Sequence, residues 1–235
     1  MENAKFKNVL VDLDHTLCST EHGVTVALEH FANQYAVKNL SHLKKHFSEL
    51  NTKLFEKYLH KQFSINEFRI RRYEQLLNLP GILRTNCNSL EEEANAFTDM
   101  MNKNCILFED TIDFLKYLQS KRVKVALLTN GPADGQRTKL ESLGISNFFD
   151  AIYISGETGF EKPNAIAFTN ALNSLQADHR HSVMLGDSME CDIIPAVRLG
   201  MRAILLDRAD NFSNTDPLIT TVRSLKTLQT EDFIG

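Results

Sequence analysis

Five short runs rich in Val, Ile and Leu dictate most of what this chain can fold into: FKNVLVD (6–12), VKVALLTN (123–130), DAIYISG (150–156), HSVMLGD (181–187) and RAILLD (202–207). Nearly unbroken apolar stretches of this length suit strands that are covered on both faces. Segments of helical period, at roughly 111–120, 134–143, 163–175 and 191–199, alternate with them. The alternation predicts repeated βα units around a parallel sheet, with a further short strand near Thr220–Arg223.

One block breaks the pattern. From Thr20 to Lys103 there is almost no strand signal and strong helical periodicity. Val24, Leu28, Phe31 and Tyr35 form one apolar stripe, and Leu43, Phe47, Leu50 and Leu54 form another. Ser64 with Glu67, and Ser89 with Glu92, have the S-x-x-E form of a capping box, in which each side chain satisfies an orphan amide of the helix start. Four helices are expected there, with a break at Pro80-Gly81 before the last. The expected organisation is an α/β core of Rossmann-like, three-layer type over 1–19 and 104–235, interrupted by an all-helical domain over 20–103.

A chain of 235 residues that is 43% hydrophobic is long enough to bury a core plus a second small domain. Its formal charge of -4 provides no basic field, which argues against a nucleic-acid duplex as partner. The N-terminus MENAKFKNVLVD has no long apolar segment, and no run reaches about 18 apolar residues, so export and membrane spanning are disfavoured and the cytoplasm is the expected compartment. Cys18, Cys87, Cys105 and Cys191 form no CxxC pair, which fits reduced thiols. A monomer or weak homo-oligomer is expected.

The chemistry-bearing residues follow the apolar runs. Asp12 and Asp14 sit two apart, a spacing that points both carboxylates to one side if the backbone stays extended. Thr129, Asn130 and Gly131 supply a hydroxyl, an amide and a glycine loop, donors suited to an anion. Glu161-Lys162-Pro163 places a cation just ahead of a helix whose first position suits proline. Gly186-Asp187-Ser188-Met189-Glu190-Cys191-Asp192 adds two more carboxylates, Asp187 and Asp192. Every group falls at or after the carboxyl end of an expected strand, the edge where open α/β sheets build their sites. Asp12, Asp14, Asp187 and Asp192 together would repel one another unless a cation intervened. Mg2+, an oxygen-seeking ion commonly shared between carboxylates and a substrate phosphate, meets that need.

In order along the chain, DLDHT, TNG, KP and GDSMECD make this sequence resemble the haloacid dehalogenase-like hydrolase superfamily, in its aspartate-nucleophile phosphatase branch. The resemblance implies that Asp12 is the nucleophile, forming an aspartyl-phosphate, and that Asp14 is the general acid and then the base. It implies that Thr129 and the Asn130 backbone, with the Gly131 loop, hold the phosphoryl oxygens while Lys162 screens the charge. It implies a Mg2+ held by Asp12, the Asp14 carbonyl oxygen and Asp187, with Asp192 binding directly or orienting the ion's hydration. The inserted helices would be a cap that closes over the site and shapes the leaving-group pocket.

Within that cap, SINEFRIRRYEQLLNLPGI is similar to nucleotidase and sugar-phosphatase members, and Arg69 and Arg72 share a helix face on which substrate binding competes with simple solvation. His42 with His46, His15 and Cys191 are assigned no chemistry. The resulting expectation is a Mg2+-dependent phosphomonoesterase acting on a small phosphorylated metabolite, a nucleoside monophosphate or sugar phosphate. Its rivals are a phosphomutase, a 2-haloacid dehalogenase and a non-catalytic metabolite-binding protein. Asp14 counts against the dehalogenase, which needs no second acid.

Overall fold

In the computed structural model, residues 6–84, 88–210, 212 and 216–230 are described; Cys87 lies outside them. The elements run β1 (Asn8–Val11), β2 (Cys18–Ser19), α1 (Glu21–Gln34), α2 (Leu40–Leu59), α3 (Ile65–Leu77), α4 (Leu90–Lys103), β3 (Ile106–Leu107), α5 (Thr111–Ser120), β4 (Lys124–Thr129), α6 (Ala133–Leu143), β5 (Ala151–Ile154), α7 (Ser155–Thr158), α8 (Ala165–Leu175), β6 (Ser182–Gly186), α9 (Ile194–Arg198), β7 (Arg202–Leu206), β8 (Ile219–Val222) and α10 (Thr227–Thr230). Among the described residues no helix is long and apolar enough to cross a membrane.

The chain divides into two compact units, one ending at Ser19 and resuming at Ile106, the other covering Thr20–Cys105. The second junction lies two residues later than expected. Asn104 still serves as the C-cap of α4, and Ile106–Leu107 is drawn into the first unit by antiparallel pairing with Cys18–Ser19.

In the first unit, six parallel strands lie in the order β5-β4-β1-β6-β7-β8. The α/β fold of Rossmann-like type is as expected, and so is the last strand, at Ile219–Val222. Alternation along each strand splits the core into two layers. Val9, Val11, Val125, Leu127, Val183 and Leu185 pack with α5 and α6 residues such as Phe114, Leu118 and Leu140. Leu10, Ala126, Leu128, Met184 and Leu205 pack with Phe168, Ala171 and Leu175 of α8 and Ala196 of α9. β1 lies between β4 and β6, with Val11 level with both Leu127 and Leu185. The chain builds one side of β1 first and then crosses to the other, so the carboxyl ends of these three strands frame a topological switch point.

Two helix starts differ from expectation. The helix after Lys162 begins at Ala165 rather than at Pro163, because Asn164 caps it by accepting from the Ile166 amide. The segment expected as a helix over 191–199 opens as a π-helical turn at Met189–Ile193 and becomes α-helical only at Ile194, where Pro195 sits in the first turn without removing a needed donor.

In the second unit, both capping boxes form: the Glu67 and Glu92 amides donate to Ser64 and Ser89 Oγ at 3.2 Å, and the two glutamates accept from the serine amides in return. The apolar stripes meet in a core that includes Leu28, Phe31, Leu43, Phe47, Tyr73, Leu76, Phe97 and Met101. Arg72 is a correction. It is neither solvated nor open to a substrate, being 6% exposed with its guanidinium over the Phe47 and Phe68 rings at 5.7 and 4.9 Å. It donates to Asn51 Oδ1 at 3.1 Å and Thr98 Oγ1 at 2.7 Å. The long apolar stem and weakly hydrated, stacking head of arginine make such burial feasible. Arg69, one turn earlier, is half-buried.

Asp110, 4% exposed, ties three distant segments of the first unit together. It accepts from Arg208 at 2.9 and 3.1 Å, from Ser224 Oγ at 2.7 Å and from the Leu225 amide at 2.9 Å, while Arg208 also donates to the Thr16 carbonyl at 3.2 Å. Burial would raise the Asp110 carboxyl, but these donors overcome it and hold its pKa below the ordinary value. Asp110→Ala should therefore lower the unfolding free energy by about 1 to 3 kcal/mol near pH 7, since it takes the carboxylate away from the half-buried Arg208 guanidinium and from the Leu225 amide. Because the folded pKa is depressed, this stabilisation is fully present above the unfolded value of about 3.9 and is lost as pH falls through the folded one. Denaturant unfolding at a series of pH values should show the gap between parent and Asp110→Asn shrinking below about pH 4.

Candidate active site

Asp12 directly follows β1, and its amide still donates to the Leu185 carbonyl at 3.0 Å, so the sheet ladder fixes its backbone. Its side chain is buried with Lys162, Thr16 and Asp192, and Asp187 lies beside them half-buried. Lys162, 4% exposed, donates from Nζ to Asp12 Oδ1 and to Asp192 Oδ1, both at 2.6 Å. Thr16 Oγ1 lies 3.1 Å from Asp12 Oδ2 and 3.5 Å from Asp187 Oδ1. Lys162 is itself held at the backbone by the Asn130 side chain, which accepts from the Lys162 amide and donates to its carbonyl, each at 2.8 Å.

The wider π turn carries Asp192 back onto Gly186. An added Cβ at Gly186 would lie 2.3 Å from Asp192 Oδ2, so only glycine fits there. The same oxygen accepts from the Ser188 amide at 3.1 Å. One extra residue in the turn thus sets the position of a carboxylate whose approach from the opposite side depends on a missing side chain.

Burial raises the Asp12 carboxyl to about 6, with Lys162 pulling it down and Asp192 pushing it up. Burial also raises Asp192 and Asp187, the latter pushed further by Asp12. For Lys162 burial disfavours the charged form, but Asp12 and Asp192 outweigh it and keep the ammonium protonated. Three carboxylates face one ammonium. Asp12, Asp187 and Asp192 each offer an oxygen within 4.8 Å of the others, a donor set of oxygens only with more negative charge than Lys162 offsets. A hard divalent cation fits that set.

Asp14 stands apart. Its carboxylate does not belong to this cluster but faces α6, where Lys139 Nζ donates to its two oxygens at 2.7 and 2.8 Å and Gln136 Nε2 donates to Oδ2 at 3.0 Å. Burial would raise its pKa, and these two side chains bring it below the ordinary value. Neither Lys139 nor Gln136 was expected to belong to the site. Their spacing of three on an α6 face is the only signal in the sequence, and nothing there says which carboxylate the face meets.

The remaining expected residues fall into two kinds. Thr129 ends β4 and is buried, with Oγ1 2.6 Å from Gln136 Nε2. The Asn130 side chain is spent on Lys162, which restricts its expected role to the backbone. The Gly131 amide already donates to Ser155 Oγ at 3.0 Å, so this residue does not offer an N–H to an anion as expected; its φ of 136° shows what glycine is for at this turn.

A sequence model of the family described as haloacid dehalogenase-like hydrolase matches residues 9–206. Ribulose-1,5-bisphosphate 5-phosphatase of Halopiger xanaduensis is 36% identical over 110 residues, covering 47% of this chain and 46% of that protein. Human N-acylneuraminate-9-phosphatase is 27% identical over 206 residues, covering 85% of this chain and 82% of that one. The chain thus spans about half the length of the first relative and about four-fifths of the second. In structure, the Bacillus subtilis HAD-hydrolase YfnB, solved bound to magnesium, matches with a TM-score of 0.77 at 21% identity over 95% of this chain and 97% of that one, a likeness of fold.

The contact at Gly186 is directly testable. Gly186→Ala should force Asp192 away from Lys162 and lower the unfolding free energy by about 1 to 3 kcal/mol, the usual cost of overpacking a rigid site. Guanidinium unfolding of parent and variant measures the difference, and a variant as stable as the parent would mean that the π turn yields freely.

Proposed function

The chain belongs to the haloacid dehalogenase-like hydrolase family, and we propose that it is a Mg2+-dependent phosphatase of a small phosphorylated metabolite, a sugar phosphate or a nucleoside monophosphate. The observation that carries this reading is the meeting of Asp12, Lys162, Asp187 and Asp192 at the carboxyl edge of the sheet, with a second acid, Asp14, two residues on. The relatives named as sugar-phosphate phosphatases support the substrate class.

In the first half of the reaction, a carboxylate oxygen of Asp12 attacks phosphorus as the bond to the leaving oxygen breaks, and Asp14 as the acid gives its proton to that oxygen. In the second, a water oxygen attacks the same phosphorus, its proton passes to Asp14, and the Asp12 acyl phosphate bond breaks to release phosphate. Splitting one displacement into two is the gain from a covalent carboxylate, and one residue serving as acid and then base closes the cycle. The Thr129 hydroxyl and the Asn130 backbone amide would hold phosphoryl oxygens, and the Lys162 ammonium would offset charge at Asp12 and on the transferring group. Mg2+, held by Asp12, Asp187, Asp192 and the Asp14 carbonyl, would offset the charge of carboxylates and phosphate together. Substrate choice is assigned to the helical insertion, with Arg69 as its remaining candidate residue.

A dehalogenase reading has the same nucleophile but no use for Asp14 or a metal. Asp12→Asn should lower phosphate release by at least about a thousandfold while leaving the fold intact, since the amide is nearly isosteric but a poor nucleophile. Phosphorylated sugars and nucleotides assayed with Mg2+ should release phosphate, chelation should stop it and Mg2+ should restore it. Halide release from a 2-haloacid in chelator, with no phosphatase activity, would turn the assignment over to the dehalogenase.

A further inference from the structure

We propose that Lys139 and Gln136 are positioning residues that fix the carboxylate of Asp14 and couple it to the end of β4; this rests on the phosphatase reading above. Asp14 lies beyond the last ladder residue of β1 and just before His15, which sits at φ 63°. The sheet therefore fixes Asp12 but not Asp14, whose backbone makes a bridge to Cys18 outside the sheet, a contact that does not set the side-chain rotamer. Proton transfer requires hydrogen-bond distance, and misplacement by about 1 Å costs on the order of a hundredfold in rate. Some other element has to supply the constraint.

Helix α6 does so. Lys139 meets both oxygens of Asp14 from one ammonium, which fixes the plane of the carboxylate as well as its direction. Gln136, 2% exposed, adds a second hold on Oδ2. The same Gln136 nitrogen lies 2.6 Å from Thr129 Oγ1 and 2.9 Å from the Asn130 carbonyl. An amide nitrogen has two hydrogens, so three acceptors within 3.0 Å share them. The residue proposed to move the proton and the residues proposed to hold the phosphoryl group are thereby joined through a single buried side chain. Lys139 is distinct in this from Lys162, which touches Asp12 and Asp192.

The consequence falls on leaving groups that need a proton. An alkyl oxygen leaves poorly without one, whereas p-nitrophenolate leaves readily, and kcat/KM reports the steps up to phosphoryl transfer to Asp12. Lys139→Met, with Lys139→Gln as a second variant that keeps a donor and fills similar space, should lower kcat/KM for the best alkyl phosphate by about 10- to 100-fold. For p-nitrophenyl phosphate the loss should stay within about threefold. Lys139→Arg, which keeps charge and two-pronged geometry, should recover most of the alkyl activity. Thermal melting of each variant accompanies the kinetics. Equal losses on the two substrates, or no loss on either, would overturn the positioning role. A parent protein that releases phosphate from neither substrate would overturn the phosphatase reading itself, which separates the two failures.

Discussion

The ammonium of Lys162 bonds to carboxylates of both Asp12 and Asp192 with almost no access to water, and much of the first unit is arranged so that this can persist. Charges in such surroundings are costly unless each finds a well-placed partner. The arrangement comes from three separate pieces of chain. β1 brings Asp12 to the sheet edge, the Asn130 side chain pins the backbone of Lys162, and the π turn with Gly186 seats Asp192. Asp12, Asp187 and Asp192 still outnumber the lysine. That surplus is what connects the packing of this region to a divalent cation and to phosphate chemistry.

Fold and chemistry were legible to different degrees. The parallel sheet could be read because strands buried on both faces must be apolar throughout, and the helical insertion because capping boxes and apolar stripes are local patterns. Asp12, Lys162, Asp187 and Asp192 could be read from their places after those strands. What escaped depends on side-chain direction in three dimensions. Periodicity places Arg72 on a helix face but says nothing of whether aromatic neighbours such as Phe47 and Phe68 will cover it. Lys139 and Gln136 look like ordinary residues of an amphipathic helix, and only the packing of α6 beside the turn after β1 gives them Asp14. The π turn has no sequence period of its own, which is why that segment read as a plain helix.

The two carboxylates of DLDHT, two residues apart, end in opposite situations. Asp12 is raised by burial among like charges, whereas Asp14 is lowered by the cation and amide of α6. A divalent cation beside Asp12 would favour its ionised, attacking form, whereas Asp14 gives a proton only after gaining one against the pull of Lys139. A shared family fold carries no such distinction by itself, since the same sheet edge supports other reactions. The difference between the two therefore rests on side chains of α6, the Lys162 loop and the turn after β6 rather than on β1, which both acids follow.

The position of the insertion also bears on how the chain acquires its structure. Asn8 of β1 pairs with Lys124 on one side and Ser182 on the other, so the central strand finds its partners only after very long stretches of chain have been brought in. Closing such loops costs entropy before any pairing rewards it, and topologies of this kind fold slowly. Helices α1 to α4, by contrast, lie within one continuous segment and pack largely on sequence neighbours. The helical unit can therefore organise early and, once compact, shorten the effective span between β1 and β4 that the sheet must close.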